Sequence, residues 1–150
     1  MTAADHAGVL ALNQRDVHLL APLDEARLAQ LTSWADTAAV IDVEGSFAGF
    51  VLTFASGSAY DGENFAWFGE RYRDFRYLDR IVIQADFRRR GLATRVYDEL
   101  EDGPAMLALE VNLDPPNEPS LAFHRSRGYE EVGRRSFQEH TVTMMTKTLR

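Results

Sequence analysis

A strand-forming segment that runs through an arginine-rich turn into a helix-forming segment constrains the fold of this chain more than any other feature. The strand is predicted from Tyr77 to Ile83, and it is followed by the turn Arg88-Arg89-Arg90-Gly91-Leu92-Ala93. The residues Thr94 to Glu101 then favour a helix, which ends before Gly103-Pro104. A glycine and an alanine let the backbone of the turn come close to a ligand. This order of strand, turn and helix predicts a binding site at the start of the helix.

The chemistry of the turn indicates that its ligand is an anion. The first turn of a helix has N–H groups without partners, and the helix dipole contributes about 0.3 to 1 kcal/mol for each favourable charge there. Arg88 to Arg90 add positive charge and forked donors for phosphate oxygens. A solvated basic turn that opens a surface helix is the alternative. The Rossmann and P-loop motifs are excluded, because the sequence has neither their glycine register nor a Gly-Lys-Ser or Gly-Lys-Thr.

The residues before this segment mix helical and extended patterns. A first strand is predicted from Val9 to Asn13, and an amphipathic helix from Leu19 to Trp34. Residues 37–44 and 46–54 are two β-rich runs separated by a short polar turn, which is typical of an antiparallel hairpin. The segment Ala55 to Asn64 is predicted to be a loop that leads into a short aromatic helix.

The residues after the basic turn continue the same mixture. Ala105 to Val111 is predicted to be a strand, and Asp114-Pro115-Pro116 a loop. Asn117 can cap a helix that runs to Arg127, and Tyr129 to Phe137 with His140 to Leu149 then alternate as a closing hairpin. The sum is a mixed α+β domain with a central sheet.

Length and charge limit the classes of function. With 150 residues and no linker or repeat, the chain is expected to form one domain over residues 1–150. The net charge of -7 argues against a nucleic-acid or anionic-membrane surface. The start of the chain lacks the pattern of a signal peptide and no stretch approaches about 18 apolar residues, so a cytoplasmic protein is expected.

The residues that usually bind metals do not form a set in this sequence. There is no cysteine, which excludes disulfides, thiolate metal sites and a cysteine nucleophile. His6, His18 and His140 have no ligand spacing. No metal is therefore predicted.

The basic turn resembles the acetyl-CoA motif of the GNAT superfamily of N-acetyltransferases. The signature of that motif is Gln or Arg, two residues, Gly, one residue, then Gly or Ala, which Arg88, Gly91 and Ala93 match. In this family the preceding strand splays from its neighbour. The resemblance implies that backbone groups of Ile81 to Ile83 bind the acetyl and pantetheine portions of the cofactor.

A second GNAT motif lies downstream and is independent of the first. Family members show Asn, a small residue at +3, an aromatic or aliphatic residue at +6, usually Tyr at +7, then Gly at +11 and Phe or Tyr at +12. The chain matches these positions with Asn117, Ser120, Phe123, Gly128 and Tyr129, and only His124 at +7 departs. The motifs cover residues 77–133, and the remainder resembles the family by strand order.

The resemblance implies a fold, an activity and a cofactor. The fold is the GNAT type, an α+β domain with a mixed, mostly antiparallel central sheet of about seven strands flanked by helices. The activity is transfer of an acetyl group from acetyl-CoA to a primary amine, by direct attack in a ternary complex. The residues assigned to the cofactor are Ile81, Val82, Ile83, Arg88, Arg89, Arg90, Gly91, Leu92, Ala93, Thr94, Asn117, Ser120 and Phe123.

Acetyl transfer needs a neutral amine and a proton for the leaving thiolate. His124 stands at the position of the family's proton-donating tyrosine, and its imidazole can donate a proton. His124 is therefore the predicted general acid, with a helix residue that only packs at the cofactor tunnel as the alternative. For the base, Tyr77 stands where several members have Glu. Asp79 is two residues further on the same face of the strand. Asp79 is the predicted base, with a structural ion pair to Arg80 as the alternative and Glu110 on the next strand as a second candidate.

An aromatic segment between the central hairpin and the cofactor strand lies where GNAT proteins usually build the acceptor pocket. Its members assigned to the acceptor are Asn64, Trp67, Phe68, Arg71 and Tyr72, with Arg71 able to hold a carboxylate. Packing in the core is the alternative for the aromatic residues.

Two functions compete with acetyl transfer. One is a domain that binds acyl-CoA without transferring the acyl group. This alternative remains because Tyr77 and His124 replace the Glu and Tyr that family members have at these positions. Nucleic-acid binding through Arg88 to Arg90 is disfavoured by the acidic chain. Many members of the superfamily pair, so a homodimer is an expectation from the resemblance.

Overall fold

The computed structural model of the chain describes residues 1–15 and 21–150. Its helices are α1 (His6–Arg15), α2 (Glu25–Trp34), α3 (Glu63–Gly69), α4 (Leu92–Leu100) and α5 (Glu118–Ser126). Its strands are β1 (Thr37–Val43), β2 (Ser46–Ala55), β3 (Arg76–Ile83), β4 (Met106–Asp114), β5 (Glu130–Phe137) and β6 (His140–Thr148). Two short 3₁₀ turns occur at Ala3–Asp5 and Ala85–Phe87.

The strands form one sheet in the order β1-β2-β3-β4-β6-β5. Every neighbouring pair is antiparallel except β3 and β4, which run parallel and pair only at Arg76 with Leu107 and at Tyr77 with Ala108. Both strands continue for several residues beyond these pairs. The sheet is therefore open between the carboxyl halves of β3 and β4, at its centre.

Helices cover both faces of the sheet, and β2 shows why. Along β2, Phe50, Leu52 and Phe54 pack with residues of α1, α2 and α3, whereas Val51 packs with residues of α4 and α5. Because successive side chains of a strand point to opposite faces, a strand buried on both faces is apolar throughout. Each large side chain removed from water in this way contributes about 1.5 to 3 kcal/mol, which explains why the sheet holds the helices in place.

The fold confirms the predicted α+β class and its mostly antiparallel sheet, and it corrects the prediction for the first element. Residues Val9 to Asn13 were predicted to be a strand, and they lie inside α1 instead. Val9, Leu12 and Asn13 are its buried residues, and spacings of three and four residues place them on one side of a helix. The described residues consequently form six strands rather than about seven.

The start of the helix that was predicted from Leu19 to Trp34 also differs. Asp24 caps α2, because its carboxylate accepts the Arg27 backbone N–H at 2.7 Å, and the helix begins at Glu25. Leu19 and Leu20, where the sequence placed its beginning, lie outside the described residues. None of the helices in residues 1–15 and 21–150 is long and apolar enough to span a membrane.

Candidate functional site

The opening between β3 and β4 forms a cleft of about 1050 Å³. It is lined by both strands, by α5, by the turn before α4, and by the β5–β6 hairpin. Of the residues that the resemblance assigned to the cofactor, the cleft is lined by Ile81, Val82, Ile83, Arg88, Ala93, Asn117, Ser120 and Phe123. The two motifs, over 20 residues apart in sequence, therefore meet in one site.

The basic turn forms one end of this site. Gly91 is the N-cap residue of α4, with a φ of 75°, and no side chain caps the helix. In that conformation a residue with a Cβ costs about 1 to 2 kcal/mol, which is the reason for a glycine here. The first N–H groups of α4 therefore receive no acceptor from their N-cap residue, which Ser, Thr, Asp or Asn would supply at that position.

The arginines of the turn surround this helix start. Arg88 donates from Nε to the carbonyl oxygen of Ile83 at 3.0 Å, which ties the turn to the end of β3. The guanidinium of Arg90 lies 5.1 Å from the ring centroid of Phe87. Arg89, Arg90, Gly91, Leu92 and Thr94 form the turn and the first helical residues, next to the residues that line the cleft. Exposed guanidinium groups beside uncapped N–H donors suit a phosphate group.

The middle of the site lies between β3 and α5. Ile81 to Ile83 have no partner on β4, so their backbone is available from that side. Across the cleft, Asn117 caps α5 by accepting the Ser120 backbone N–H at 3.3 Å. The cap sets where the helix begins, and it thereby directs Phe123 into the cleft.

His124, one helical turn after Ser120 on α5, also lines the cleft and is 6% exposed. Its Nδ1 is 2.7 Å from the Ser120 carbonyl oxygen, and its Nε2 is 2.6 Å from the hydroxyl oxygen of Tyr97. Burial lowers the pKa of His124, so the ring is neutral at neutral pH. The structure thus places the predicted acid in the cleft with both ring nitrogens in hydrogen-bonding contact.

The other end of the cleft carries a partly buried carboxyl group, that of Glu110 on β4. The Tyr77 hydroxyl lies 2.8 Å from Oε1 and 2.7 Å from Oε2 of Glu110. Burial raises the pKa of Glu110 to about 7, an effect that the bond from Tyr77 opposes and the nearby charge of Asp79 adds to. A carboxyl group with such a pKa can take up and release a proton at neutral pH.

Asp79 is more constrained than the sequence suggested. Its Oδ1 accepts the Tyr60 hydroxyl at 2.6 Å, and its Oδ2 accepts Nε of Arg80 at 2.7 Å. The side chains of Asp79 and Arg80 are 8% and 7% exposed, which makes this a buried ion pair. Tyr60 also stacks beside Tyr77 at 6.3 Å between centroids, so Tyr77 and Asp79 share a face as predicted. The geometry favours the ion-pair alternative over a free base.

The residues predicted to bind the acceptor lie in different parts of the structure. Asn64 lines the cleft and accepts a hydrogen bond from Arg135. Phe68 is fully buried in the core. Trp67 packs on the backbone of Gly133, where a Cβ would lie 2.5 Å from its ring. The guanidinium of Arg71 stacks on Trp67, 3.7 Å from the ring centroid.

The fifth residue of that set, Tyr72, lines a separate small cavity of about 380 Å³ rather than the cleft. The set is divided because Asn64, Trp67 and Phe68 point in different directions from the short helix α3, and Tyr72 follows the end of that helix. Sequence reasoning could place the segment near the site, and it could not distinguish the residue facing the cleft from those facing the core.

Several cleft residues were not singled out from the sequence. They are Tyr60, Tyr97, Arg135, Phe137 and His140. No motif marks them, although Tyr60 lies in the loop before α3 and Phe137 and His140 flank the turn of the closing hairpin, where loops commonly carry function.

Comparison with protein families places residues 10–129 in one of them, described as the acetyltransferase (GNAT) family. The matched range contains the basic turn, α5 and every residue proposed for the chemistry. Among proteins of curated function, none matches the sequence.

Solved structures share the fold at low sequence identity. Ard1 from Thermoplasma volcanium is similar with a TM-score of 0.77 and 16% identity, over 100% of this chain and 95% of that protein. The ribosomal-protein-S18-alanine N-acetyltransferase from Escherichia coli is similar with a TM-score of 0.67 and 21% identity, over 99% and 90%. The protein yncA from Salmonella typhimurium, solved with its cofactor acetyl-CoA, has a TM-score of 0.70 and 16% identity, over 100% and 91%.

Proposed function

Because the chain belongs to the acetyltransferase (GNAT) family, we propose that it transfers the acetyl group of acetyl-CoA to a primary amine by direct attack within a ternary complex. The observation that carries this proposal is the continuous cleft between β3 and β4, with an anion-binding helix start at one end and the carboxyl group of Glu110 at the other. The start of α4 can bind a pyrophosphate, and the carboxyl group of Glu110 can accept the proton that an amine releases.

The residues present fit acetyl-CoA. The uncapped N–H groups of α4 and the arginines beside them suit its phosphates. The backbone of Ile81 to Ile83, open on the β4 side, suits the amide groups of pantetheine, and Phe123 offers an apolar wall. The cleft of about 1050 Å³ is at the upper end of ordinary ligand pockets, about 300 to 1000 Å³, as a long cofactor requires.

Bound acetyl-CoA supplies the activated acetyl thioester, and the chain supplies the acid–base groups. Glu110 is the base that the geometry supports best, because its carboxylate lies in the cleft and both oxygens of Asp79 are occupied. Tyr77 orients the Glu110 carboxylate through its two hydrogen-bonding contacts. Glu110 receives the proton of the amine, directly or through water.

At the α5 side of the cleft we propose that the departing sulfur receives its proton through His124. We expect His124→Ala to lower turnover by about 10 to 1000 fold with little change in cofactor affinity, as loss of an acid commonly does. Unchanged turnover would exclude His124 from the proton path.

The proposed base favours an acceptor amine of low pKa. An α-amine titrates near about 7.7 to 8.0, whereas a lysine amine titrates near about 10.4 and is almost wholly protonated at pH 7. A carboxylate with a pKa of about 7 is close in pKa to an α-amine and can accept its proton, whereas the pKa of a lysine amine is much higher. An amine panel should therefore contain α-amines of amino acids and peptides beside lysine-like amines, with the α-amines expected to react faster at pH 7.

A second candidate function is a domain that binds acyl-CoA and transfers nothing. The observation that favours it is the engagement of both nitrogens of His124 and both oxygens of Asp79 within the protein. Tight cofactor binding without thiol release across the amine panel would select this candidate.

The experiment that tests the proposal is titration calorimetry with acetyl-CoA and with free CoA, followed by a thiol-release screen of the amine panel. We expect micromolar binding of acetyl-CoA and thiol release that depends on the amine. Absence of binding would refute acetyl transfer and the sensor function together.

We further propose a cytoplasmic protein of one domain, with neither nucleic acid nor membrane among its partners, in line with the net charge of -7. A homodimer is supported by β5, an exposed edge strand that presents Val132 and Phe137, each 38% exposed. Light scattering at micromolar protein concentration should give twice the monomer mass; the monomer mass would exclude the pair.

A further inference from the structure

The two nitrogens of His124 have different roles in the neutral ring. Because a carbonyl oxygen can only accept, the contact of 2.7 Å with the Ser120 oxygen requires the ring hydrogen on Nδ1. Nε2 is then an acceptor, and the Tyr97 hydroxyl at 2.6 Å donates to it. The neutral ring therefore has no N–H at Nε2 to give to a group in the cleft.

Tyr97 brings a hydroxyl from α4 to the point where α5 carries His124. Its side chain is 3% exposed and still lines the cleft. Its ring packs edge-on against Phe123 and Tyr129, with centroids 5.0 and 6.1 Å away, which fixes the direction of the hydroxyl. A phenol oxygen can accept one hydrogen bond while it donates another, so Tyr97 can connect His124 to a third group.

We propose that Tyr97 is the catalytic proton donor to the leaving sulfur, and that His124 is the positioning residue that passes a proton to it. This inference rests on the proposed function, because it requires a sulfur leaving group in the cleft. Once His124 takes a proton from solvent at Nε2, that nitrogen donates to the Tyr97 oxygen. The hydrogen of Tyr97 is then free to point into the cleft.

The transfer balances in protons and charge. The O–H bond of Tyr97 breaks as an S–H bond forms, and the Nε2–H bond of His124 breaks as a new O–H bond forms on Tyr97. Tyr97 ends as a neutral phenol, and His124 ends as a neutral ring with its hydrogen on Nδ1. The thiolate ends as a thiol, so no phenolate is left inside the protein.

The groups around His124 support a short-lived imidazolium. Burial lowers the pKa of His124, and the positive charge of Arg127 lowers it further. The hydrogen bond to the Ser120 carbonyl and the negative charge of Glu101 raise the pKa. Tyr97 from α4 and Tyr129 from the start of β5 are the other titratable groups that face the ring. A proton held at lowered pKa is released readily.

Tyr97 itself remains a hydroxyl in this environment. Burial raises its pKa, against the opposing charge of Arg127. The group is therefore protonated at every pH at which the enzyme would work, and a proton leaves it only as another arrives from His124.

The alternative is that the bond between Tyr97 and His124 only holds α4 against α5. Tyr129→Phe is the matched control, since Tyr129 is another buried tyrosine of the same cluster whose hydroxyl donates to Glu101 at 2.8 Å. It removes the same atom from the same core and leaves the bond between Tyr97 and His124 in place.

The first test compares thiol release from acetyl-CoA, with the best amine of the panel, in Tyr97→Phe and Tyr129→Phe. We expect Tyr97→Phe to lower turnover by about 10 to 1000 fold and Tyr129→Phe to retain it. We also expect the double variant Tyr97→Phe/His124→Ala to be no slower than the slower single variant, because both changes interrupt one path. Turnover in Tyr97→Phe equal to that of Tyr129→Phe would overturn the proposal.

A second test replaces the leaving group. With p-nitrophenyl acetate as acetyl donor the phenolate leaves without a proton, so Tyr97→Phe should match the wild-type rate with this ester and lose only the thioester reaction. An equal loss with both donors would indicate misfolding or mispositioning and would also overturn the assignment.

A third measurement needs neither donor nor acceptor. In ¹⁵N NMR spectra of the free protein, the His124 Nε2 resonance should move in Tyr97→Phe and stay in Tyr129→Phe; no movement in Tyr97→Phe would show that the bond does not exist. Calorimetry with acetyl-CoA distinguishes a failure of the proposed function from a failure of the relay. A wild type that neither binds acetyl-CoA nor releases thiol defeats the proposed function and the relay, whereas an active wild type with a fully active Tyr97→Phe defeats the relay alone.

Discussion

The protonation state of Glu110 is expected to affect both the activity and the stability of this protein. Its carboxyl group lies in the cleft between β3 and β4, and both carboxyl oxygens are in hydrogen-bonding distance of the Tyr77 hydroxyl. Its pKa is about 7 because burial disfavours the charged form. The same burial makes it a suitable base and makes its ionised form a cost to the folded protein. Activity and stability should therefore change in opposite directions when the charge is removed.

We predict that Glu110→Gln abolishes most turnover and removes the rise in rate through pH 7 that a base with this pKa produces. The check is the pH profile of kcat/KM for thiol release, with Glu130→Gln on the exposed face of β5 as control. A variant that keeps the wild-type rate and profile would exclude Glu110 as the base.

The stability of the same variant gives a second prediction. Glu110 has a folded pKa of about 7 against an ordinary value of 4.5, so between these values the folded state binds more protons than the unfolded state. Stability of the wild type therefore falls as pH rises through this window. Glu110→Gln should have nearly wild-type stability at pH 4.5 and exceed it at pH 8 by about 1 to 3 kcal/mol, measured by urea unfolding. Parallel curves for the two proteins would contradict the raised pKa.

Substitution of Gly91 can distinguish the effect of an added charge on cofactor binding from the effect of backbone strain. Gly91→Asp should chiefly weaken acetyl-CoA binding, because it puts a carboxylate at the helix start proposed to hold phosphate. Gly45→Asp is the control, since Gly45 also has a positive φ, of 86°, with open space around it, but lies in the β1–β2 turn. Calorimetry should show lost affinity only in Gly91→Asp; normal affinity would mean that the phosphates bind elsewhere.

At the scale of secondary-structure elements, β3 carries an irregularity that positions its polar residues. The register to β2 shifts so that Leu52 faces Arg80 and Thr53 faces Leu78, which leaves Asp79 as an extra residue in a bulge. Arg80 reaches from there to Asn13 of α1, at 3.1 Å, and to the carbonyl of Ala21 before α2, at 3.2 Å. Arg80 thus joins β3 to α1 and to the segment before α2.

We predict that Arg80→Met lowers the free energy of unfolding by about 3 to 5 kcal/mol, because it leaves the buried Asp79 carboxylate uncompensated. Arg27→Met breaks the exposed pair with Asp61 and should cost about 1 kcal/mol or less. Urea unfolding measures both, and Asp79→Asn/Arg80→Met should recover part of the loss. Similar losses in the two single variants would show that the β3 pair has no special role.

At the scale of the whole molecule, the sheet consists of two three-stranded halves. The halves β1-β2-β3 and β4-β6-β5 are joined through the sheet by two residue pairs, and the proposed cofactor site lies where they separate. A ligand that fills the opening contacts both halves, so its binding should stabilise the molecule as a unit. At a concentration of about 100 times its dissociation constant, a ligand contributes about 2.7 kcal/mol.

We predict that acetyl-CoA slows amide hydrogen exchange in Ile81 to Ile83 and in the first turn of α4, with little change in the β1–β2 turn. The protection should be absent in Gly91→Asp at the same concentration. Hydrogen exchange followed by mass spectrometry provides the measurement. Protection confined to other segments would place the cofactor outside the opening between the two halves.

The sequence alone predicted most of the elements and both motifs, because these depend on neighbours in the chain. The basic turn, the glycine at the start of α4 and the Asn117 cap are local patterns, and Arg88 of the turn and Asn117 both line the cleft. The predicted strand at Val9 to Asn13 was wrong because five residues contain too little of a period to distinguish a strand from a helix.

Only the tertiary structure decided which groups are paired and which remain able to exchange a proton. Tyr77 meets Glu110 across 33 residues of sequence, and Tyr97 meets His124 across 27. Nothing local encodes these contacts, because they depend on where the parallel strands separate and on how α4 packs against α5. Burial then sets the pKa of each group, and burial is a property of the assembled core rather than of any segment.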